Sequence, residues 1–144
     1  MSVLKIAAVF TDKAVAAKVA DLSQSLMFEA SMEDTQHLPF AALVLGASPI
    51  LIDLKARADV GLYLVSERTL KNQPLSTLSS DQLPGSVGIF PMVASAELGP
   101  KAADKHWHEL HGALALEVHT AMSHYYQLTV VHRFAGAHWN GLAL

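Results

Sequence analysis

Residues 105–128 read KHWHELHGALALEVHTAMSHYYQL, and this stretch decides the predicted fold. It follows Gly99-Pro100, and proline suits the first position of a helix because its missing N–H would be unpaired there. At about 100° per residue, one face of that helix collects Trp107, Leu110, His111, Leu114, Val118 and Met122. The pattern predicts an amphipathic helix whose apolar face, with His111 in it, meets the core.

An imidazole on a buried face needs an explanation. Leaving a buried polar group without a hydrogen-bond partner costs roughly 1–3 kcal/mol. Two interpretations of His111 are therefore open: a core histidine whose hydrogen bonds are satisfied within the fold, or a histidine that lines a pocket.

The next segment predicts a strand. Side chains alternate from His124 to Phe134, and the more apolar face carries His124, Tyr126, Leu128, Val130, His132 and Phe134. We expect this face to meet the helix. His111, Tyr126 and His132 would then converge on a small cavity with apolar walls and a few polar groups, which is the usual composition of a ligand site.

These residues resemble a known family. A strand at 87–94 precedes a helix with the run Trp-x3-His-x2-Leu-Ala from Trp107 to Ala115, and Tyr125-Tyr126-Gln127 enters the next strand. The arrangement is similar to the EthD family, and Asn140-Gly141-Leu142-Ala143-Leu144 resembles the start of that family's third strand. The resemblance covers about residues 86–144.

The resemblance implies an α+β fold, in which ferredoxin-like β-α-β units form a dimeric α+β barrel. It also implies that the protein acts on or binds a small, largely apolar organic molecule, in catabolism or tailoring by oxidation, elimination or isomerisation, often without a bound cofactor. Histidine suits proton transfer near neutral pH. We therefore expect His111 to act as general acid/base, with Tyr126 or His132 orienting the substrate. The expected substrate contacts are Trp107, His108, Leu114 and Leu128.

The first half of the chain predicts a similar arrangement. A strand at 3–10 precedes a helix capped by Thr11-Asp12, with Val15, Val19, Leu22 and Leu26 on one face. Further strands are expected at 41–45, 50–54 and 60–66, and a polar loop at 31–36. Residues 71–85 are rich in Pro, Ser and Gly and predict a linker. The expected organisation is a β-α-β unit at 1–70, the linker 71–85 and an EthD-like unit at 86–144, with a pseudo-duplication within one domain as the leading topology.

A complete ferredoxin-like unit needs a second helix and a fourth strand after residue 144. We expect either that the first half supplies these elements in a rearranged order or that the chain is part of a longer, duplicated protein.

The composition limits which kinds of partner we expect. With 51% hydrophobic and 16% charged residues, the chain has more apolar surface than a small domain easily hides, which favours a homodimer. A net charge of −3 with scattered Lys and Arg argues against nucleic acid. The longest apolar stretch, 40–52, is too short and interrupted to span a membrane. No signal-peptide pattern appears, and the absence of cysteine fits a reducing compartment, so we expect a cytoplasmic protein.

Metal and haem are the rival interpretations of the histidines. His108 and His111 are three apart, whereas the zincin motif needs a spacing of four, and no carboxylate nearby completes a ligand shell, so no dedicated metal site is expected. Relatives of this barrel include haem enzymes, and His111 or His132 could bind iron, yet no haem signature is visible. We expect no cofactor. The remaining alternative is a non-catalytic dimerisation or ligand-binding module.

Overall fold

The computed structural model describes residues 2–31, 39–53, 57–72 and 86–144. The strands are β1 (Ser2–Phe10), β2 (Leu26–Glu29), β3 (Ala42–Gly46), β4 (Gly61–Asn72), β5 (Phe90–Met92), β6 (His124–Gly136) and β7 (Gly141–Ala143). The helices are α1 (Lys13–Ser23), α2 (Ile50–Asp53), α3 (Gly99–His106) and α4 (Gly112–Val118), with a π-helical turn, Trp107–His111, joining α3 to α4. The predicted loop at 31–36 and the predicted linker at 71–85 lie outside the described residues except for Ser31, Lys71 and Asn72.

The strands hydrogen-bond in the order β2-β3-β1-β4-β6-β7-β5. β3 pairs antiparallel with both β1 and β2, and β7 pairs antiparallel with both β5 and β6. The predicted α+β class is confirmed at this level.

The described residues divide into two compact units. The amino-terminal unit comprises Val3–Ser66 and Val130–His138, and the carboxy-terminal unit comprises Glu67–Thr129 and Trp139–Leu144 with Ser2. Because β4 and β6 each contribute residues to both units, the units do not coincide with the segments 1–70 and 86–144.

The amino-terminal unit is built around β1, where every residue from Ile6 to Phe10 is buried. This agrees with the predicted strand that is apolar on both faces. The Asp12 side chain caps α1 by accepting hydrogen bonds from the N–H groups of Ala14 and Val15, at 2.8 and 3.1 Å. The core of this unit is aliphatic and aromatic, and it includes Ile6, Ala8, Phe10, Ala16, Val19, Val44, Leu51 and Leu62.

Two predictions for this unit are wrong. Residues 50–53 form a helix and not a strand, because Pro49 opens a turn in which its carbonyl accepts from the N–H of Ile52 at 2.9 Å. α1 ends at Ser23 because Gln24 adopts a left-handed conformation, with φ of 51°. Leu26 therefore belongs to β2, and Leu22 is exposed.

The backbone conformation at position 136 requires glycine. Its φ is 90°, and a Cβ there would collide with the backbone of Val60 and Gly61. Gly99 also has a positive φ, 75°, but open space surrounds it.

We expect Gly99→Ala to lower the free energy of unfolding by about 1–2 kcal/mol from backbone strain alone.

Gly136→Ala should cost more than Gly99→Ala, by roughly 1–3 kcal/mol, because crowding adds to the strain. Urea unfolding of both variants measures the difference. Equal losses would show that the approach of Val60 to Gly136 does not constrain the fold.

Candidate functional site

The π-helical turn at Trp107–His111 sets the geometry of the carboxy-terminal unit. The N–H of Gly112 donates to the carbonyl of Trp107, five residues back, where an α-helix would bond four residues back. One extra residue in a turn rotates everything after it by about 100°. The faces of α4 therefore differ from those of a continuous α-helix.

Burial follows the rotated register. Trp107, Gly112 and Ala115 are buried, whereas Leu110, Leu114 and Val118 are 62%, 56% and 61% exposed. His111 is exposed as well. The predicted helix is present, but the prediction that its Leu110–His111–Leu114–Val118 face meets the core is wrong, because a regular 3.6-residue period was assumed through a segment that contains a π turn.

Two glycines let the helix lie close to the strands. A Cβ on Gly112 would stand 2.5 Å from a Leu70 methyl group and 3.3 Å from the amide nitrogen of Gln127. A Cβ on Gly141 would stand 2.6 Å from the ring of Trp107. The absence of a side chain at both positions therefore permits Trp107 to be buried.

The helix contacts the face of β6 that carries Tyr125, Gln127 and Thr129. The amide of Gln127 donates to the carbonyl of Trp107 and to the hydroxyl of Tyr125, both at 3.1 Å. Gln127 is fully buried. The prediction that the Tyr126–Leu128 face of this strand meets the helix is wrong, because the polar residues on the opposite face satisfy one another within the fold.

Gln127 belongs to a larger polar group, which we call the Trp107 network and define as Arg68, Asp104, Trp107, Tyr125, Gln127 and Thr129. The Arg68 guanidinium from β4 forms two hydrogen bonds with the Asp104 carboxylate, at 2.7 and 2.9 Å, and donates to the Gln127 carbonyl oxygen at 2.9 Å. The Thr129 hydroxyl donates to Asp104 at 2.7 Å. Charge-assisted bidentate pairs of this kind are strong and directional.

The charges in the network compensate each other. Burial alone would raise the pKa of Asp104, but the hydrogen bonds from Arg68 and Thr129 and the nearby positive charge of Arg68 outweigh it, so the pKa of Asp104 lies below its usual 3.8. Asp104 is therefore ionised at neutral pH. Opposite Arg68, it makes the network close to electrically neutral.

Two nitrogen donors in the network stand out. Within the part of the chain that the structure describes, the buried Arg68 Nε and Trp107 Nε1 atoms have no hydrogen-bond partner. The Arg68 guanidinium carbon lies 5.6 Å from the centre of the Trp107 ring, within range of a cation–π contact. Buried N–H groups almost always have an acceptor, so a pair without one points to an acceptor supplied from outside these residues.

Of the residues predicted to form a catalytic site, His111 and Tyr126 lie in the carboxy-terminal unit and do not meet there. Tyr126 points to the face of β6 opposite Gln127, where its hydroxyl donates to Asn72 at 3.2 Å. Burial and the charge of Glu67 raise the pKa of Tyr126. His132 lies in the amino-terminal unit, where it is exposed and packs edge-on against Phe134.

The predicted substrate contacts have different environments. Trp107 is buried within the network and Leu128 is fully buried in β6, but His108 and Leu114 are exposed. Only Trp107 among them belongs to the network.

Arg68, Asp104, Gln127 and Thr129 were missed from the sequence. One signal was available: Tyr125, Gln127 and Thr129 alternate along a strand and present three hydrogen-bonding side chains in a row. The more apolar face of a strand is ordinarily the one that packs on a helix, so hydrophobicity favours the opposite face. The pairing of Asp104 with Arg68, 36 positions away, has no local signal.

No three His, Cys, Asp or Glu side chains come together as a possible metal site within residues 2–31, 39–53, 57–72 and 86–144. The helices among these residues include none with both the length and the apolar character that a bilayer span requires.

Comparison with known proteins finds no family model, no curated protein and no solved structure that matches the chain. The resemblance to the EthD family stays a prediction.

The lowered pKa of Asp104 predicts how the free energy of unfolding changes with pH. A carboxyl whose pKa is depressed on folding stabilises the fold above its unfolded pKa, and this contribution is lost as the pH falls through its folded pKa. We expect Asp104→Asn to lower the free energy of unfolding by about 1–3 kcal/mol at neutral pH and to flatten its decline below pH of about 4.

Asp21→Asn, an exposed position on α1, is the matched control and should leave both the stability and its pH dependence unchanged. Denaturant unfolding at a series of pH values gives the comparison. If Asp104→Asn were as stable as the control, the Arg68–Asp104 ion pair would not stabilise the fold.

Proposed function

We propose that this chain is an EthD-like protein that binds a small, largely apolar organic molecule at the Trp107 network. The observation that carries the proposal is the pair of buried donors, Arg68 Nε and Trp107 Nε1, which have no acceptor among the described residues. A bound oxygen atom would supply an acceptor, and the apolar indole ring would contact the rest of the ligand.

The charge balance narrows the ligand class. Because Asp104 already neutralises Arg68 at 2.7 Å, an anionic ligand would add a second negative charge that no cation of the network balances. A neutral carbonyl or ether oxygen would accept from the two donors without that repulsion. The ligand class that the network favours is thus a neutral molecule with one oxygen acceptor on an apolar body.

The test uses the indole N–H signals of the two tryptophans, Trp107 and Trp139, in a ¹⁵N-resolved NMR spectrum. A Trp139→Phe variant assigns the two signals. We expect acetophenone to move the Trp107 indole signal saturably and to leave that of Trp139 in place, and benzoate to move it far less.

Toluene, which lacks an acceptor, is the matched control compound. Equal shifts of both indole signals, or a Trp107 signal that no compound moves, would contradict binding at the network.

The general acid/base role of His111 stays a prediction. The exposed imidazole lacks the burial from which a pocket was inferred, but the helix that carries it is the one that holds Trp107. If His111 removes a proton, the protein should speed the exchange of deuterium from solvent into the methyl group of acetophenone, which NMR follows directly.

His111→Ala should abolish that exchange, whereas His106→Ala, an exposed imidazole on α3, should retain it. Both variants should melt within a degree or two of the parent protein because exposed substitutions change stability by less than about 0.5 kcal/mol. Exchange at the parental rate in His111→Ala would exclude the acid/base role. A large drop in its melting temperature would instead favour a structural histidine.

Three finer predictions belong to the same proposal. The chain forms ferredoxin-like units that pair between two protomers as a barrel, it needs no cofactor, and it is a cytoplasmic homodimer. A Soret band in the purified protein would favour the haem alternative over a cofactor-free site.

The second candidate function is a non-catalytic dimerisation module. It is favoured by one observation: large apolar side chains remain exposed on the helix that the sequence predicted to be buried, at Leu110, Leu114 and Val118.

A further inference from the structure

The Arg68 guanidinium binds its two partners along two different edges. Its Nη1 and Nη2 atoms meet the Asp104 carboxylate end-on, at 2.7 and 2.9 Å. Nη2 donates a second hydrogen bond, at 2.9 Å, to the Gln127 carbonyl oxygen. Because the five N–H bonds of a guanidinium have fixed directions in one plane, this second hydrogen lies on the edge that Nη2 shares with Nε. The Gln127 oxygen thus occupies half of that edge.

The other half of the same edge is the buried Nε–H of Arg68, which has no acceptor within the part of the chain that the structure describes. The two N–H bonds of this edge are parallel, and for that reason the two oxygens of a single carboxylate can bind it together. An oxygen atom bound to Nε would therefore lie beside the Gln127 oxygen, within hydrogen-bonding distance of it. Two oxygens that could only accept would repel each other there, because both carry partial negative charge.

The Gln127 oxygen can take a second donor. A carboxamide oxygen has two lone pairs, and among the described residues this one accepts only from Arg68. The edge therefore presents a buried donor, Arg68 Nε–H, next to a buried acceptor with spare capacity. A hydroxyl group matches this arrangement because it accepts and donates at one atom.

We propose that the ligand of the Trp107 network is an alcohol, whose hydroxyl oxygen accepts from Arg68 Nε and whose hydroxyl hydrogen is donated to the Gln127 oxygen. The second lone pair of the hydroxyl oxygen serves Trp107 Nε1 as a ketone or ether oxygen would. This proposal rests on the proposed function, since it names the chemical class of the ligand at the same site. A ketone or an ether binds there more weakly, because it leaves the Gln127 oxygen without its second donor.

The test compares compounds that differ only at this oxygen. They are acetophenone, 1-phenylethanol, in which the carbonyl is reduced to a hydroxyl, and the methyl ether of 1-phenylethanol, which keeps the oxygen but lacks its hydrogen. Titration of the Trp107 indole N–H signal by NMR gives each dissociation constant. We expect 1-phenylethanol to bind about tenfold more tightly than acetophenone, and the ether to bind no more tightly than acetophenone.

The ligand series separates the two proposals without any substitution. If acetophenone and 1-phenylethanol bind with equal dissociation constants, the alcohol is overturned and the proposed function stands. If no compound moves the Trp107 signal, both are overturned.

Gln127→Met removes the acceptor while keeping a side chain of similar length, so it should abolish the tenfold preference for the alcohol. Val131→Met, at an exposed position on the same strand, is the matched control and should retain the preference. A preference that survives in Gln127→Met would overturn the assignment of the Gln127 oxygen as the acceptor. If Gln127→Met does not fold, the ligand series on the parent protein decides.

Discussion

The carboxy-terminal unit depends on the side chain of Gln127. A buried carboxamide needs hydrogen-bond partners for both its carbonyl oxygen and its NH₂ group. Here the oxygen accepts from Arg68, and the nitrogen donates to the Trp107 carbonyl and the Tyr125 hydroxyl. One residue of β6 thus connects β4 to the helix above the sheet. Because a half-satisfied buried network is costly, these partners hold each other in a single arrangement.

The π turn is the local consequence of that arrangement. The Trp107 carbonyl receives both the Gln127 amide and the N–H of Gly112, and the turn widens by one residue to admit them. The small residues Gly112 and Ala115 then follow Trp107 on the inner face, and Leu110, Leu114 and Val118 turn outward. The exposed leucines are therefore explained by the same contact that buries Trp107.

Local patterns predicted much of the fold. The strands at 3–10 and 41–45, the Asp12 cap of α1 and the long strand from His124 were all expected, because alternation and capping chemistry act over a few residues. The candidate site was predicted less well. Periodicity assumes an unbroken helix, and hydrophobicity favours the Tyr126–Leu128 face of β6 for the contact with it. The Arg68–Asp104 pair that makes the burial of Gln127 possible joins distant positions. Trp107 was the one predicted ligand contact that the network contains.

The register of the helix is the central claim, and the accessibility of single cysteines tests it most directly because the natural chain has no competing thiol. Leu114→Cys and Ala115→Cys place neighbouring thiols on the two sides that the π turn distinguishes. We expect rapid alkylation of the thiol in Leu114→Cys and protection of the thiol in Ala115→Cys until the protein unfolds. Protection of the first and rapid alkylation of the second would show a continuous α-helix, and would contradict the account.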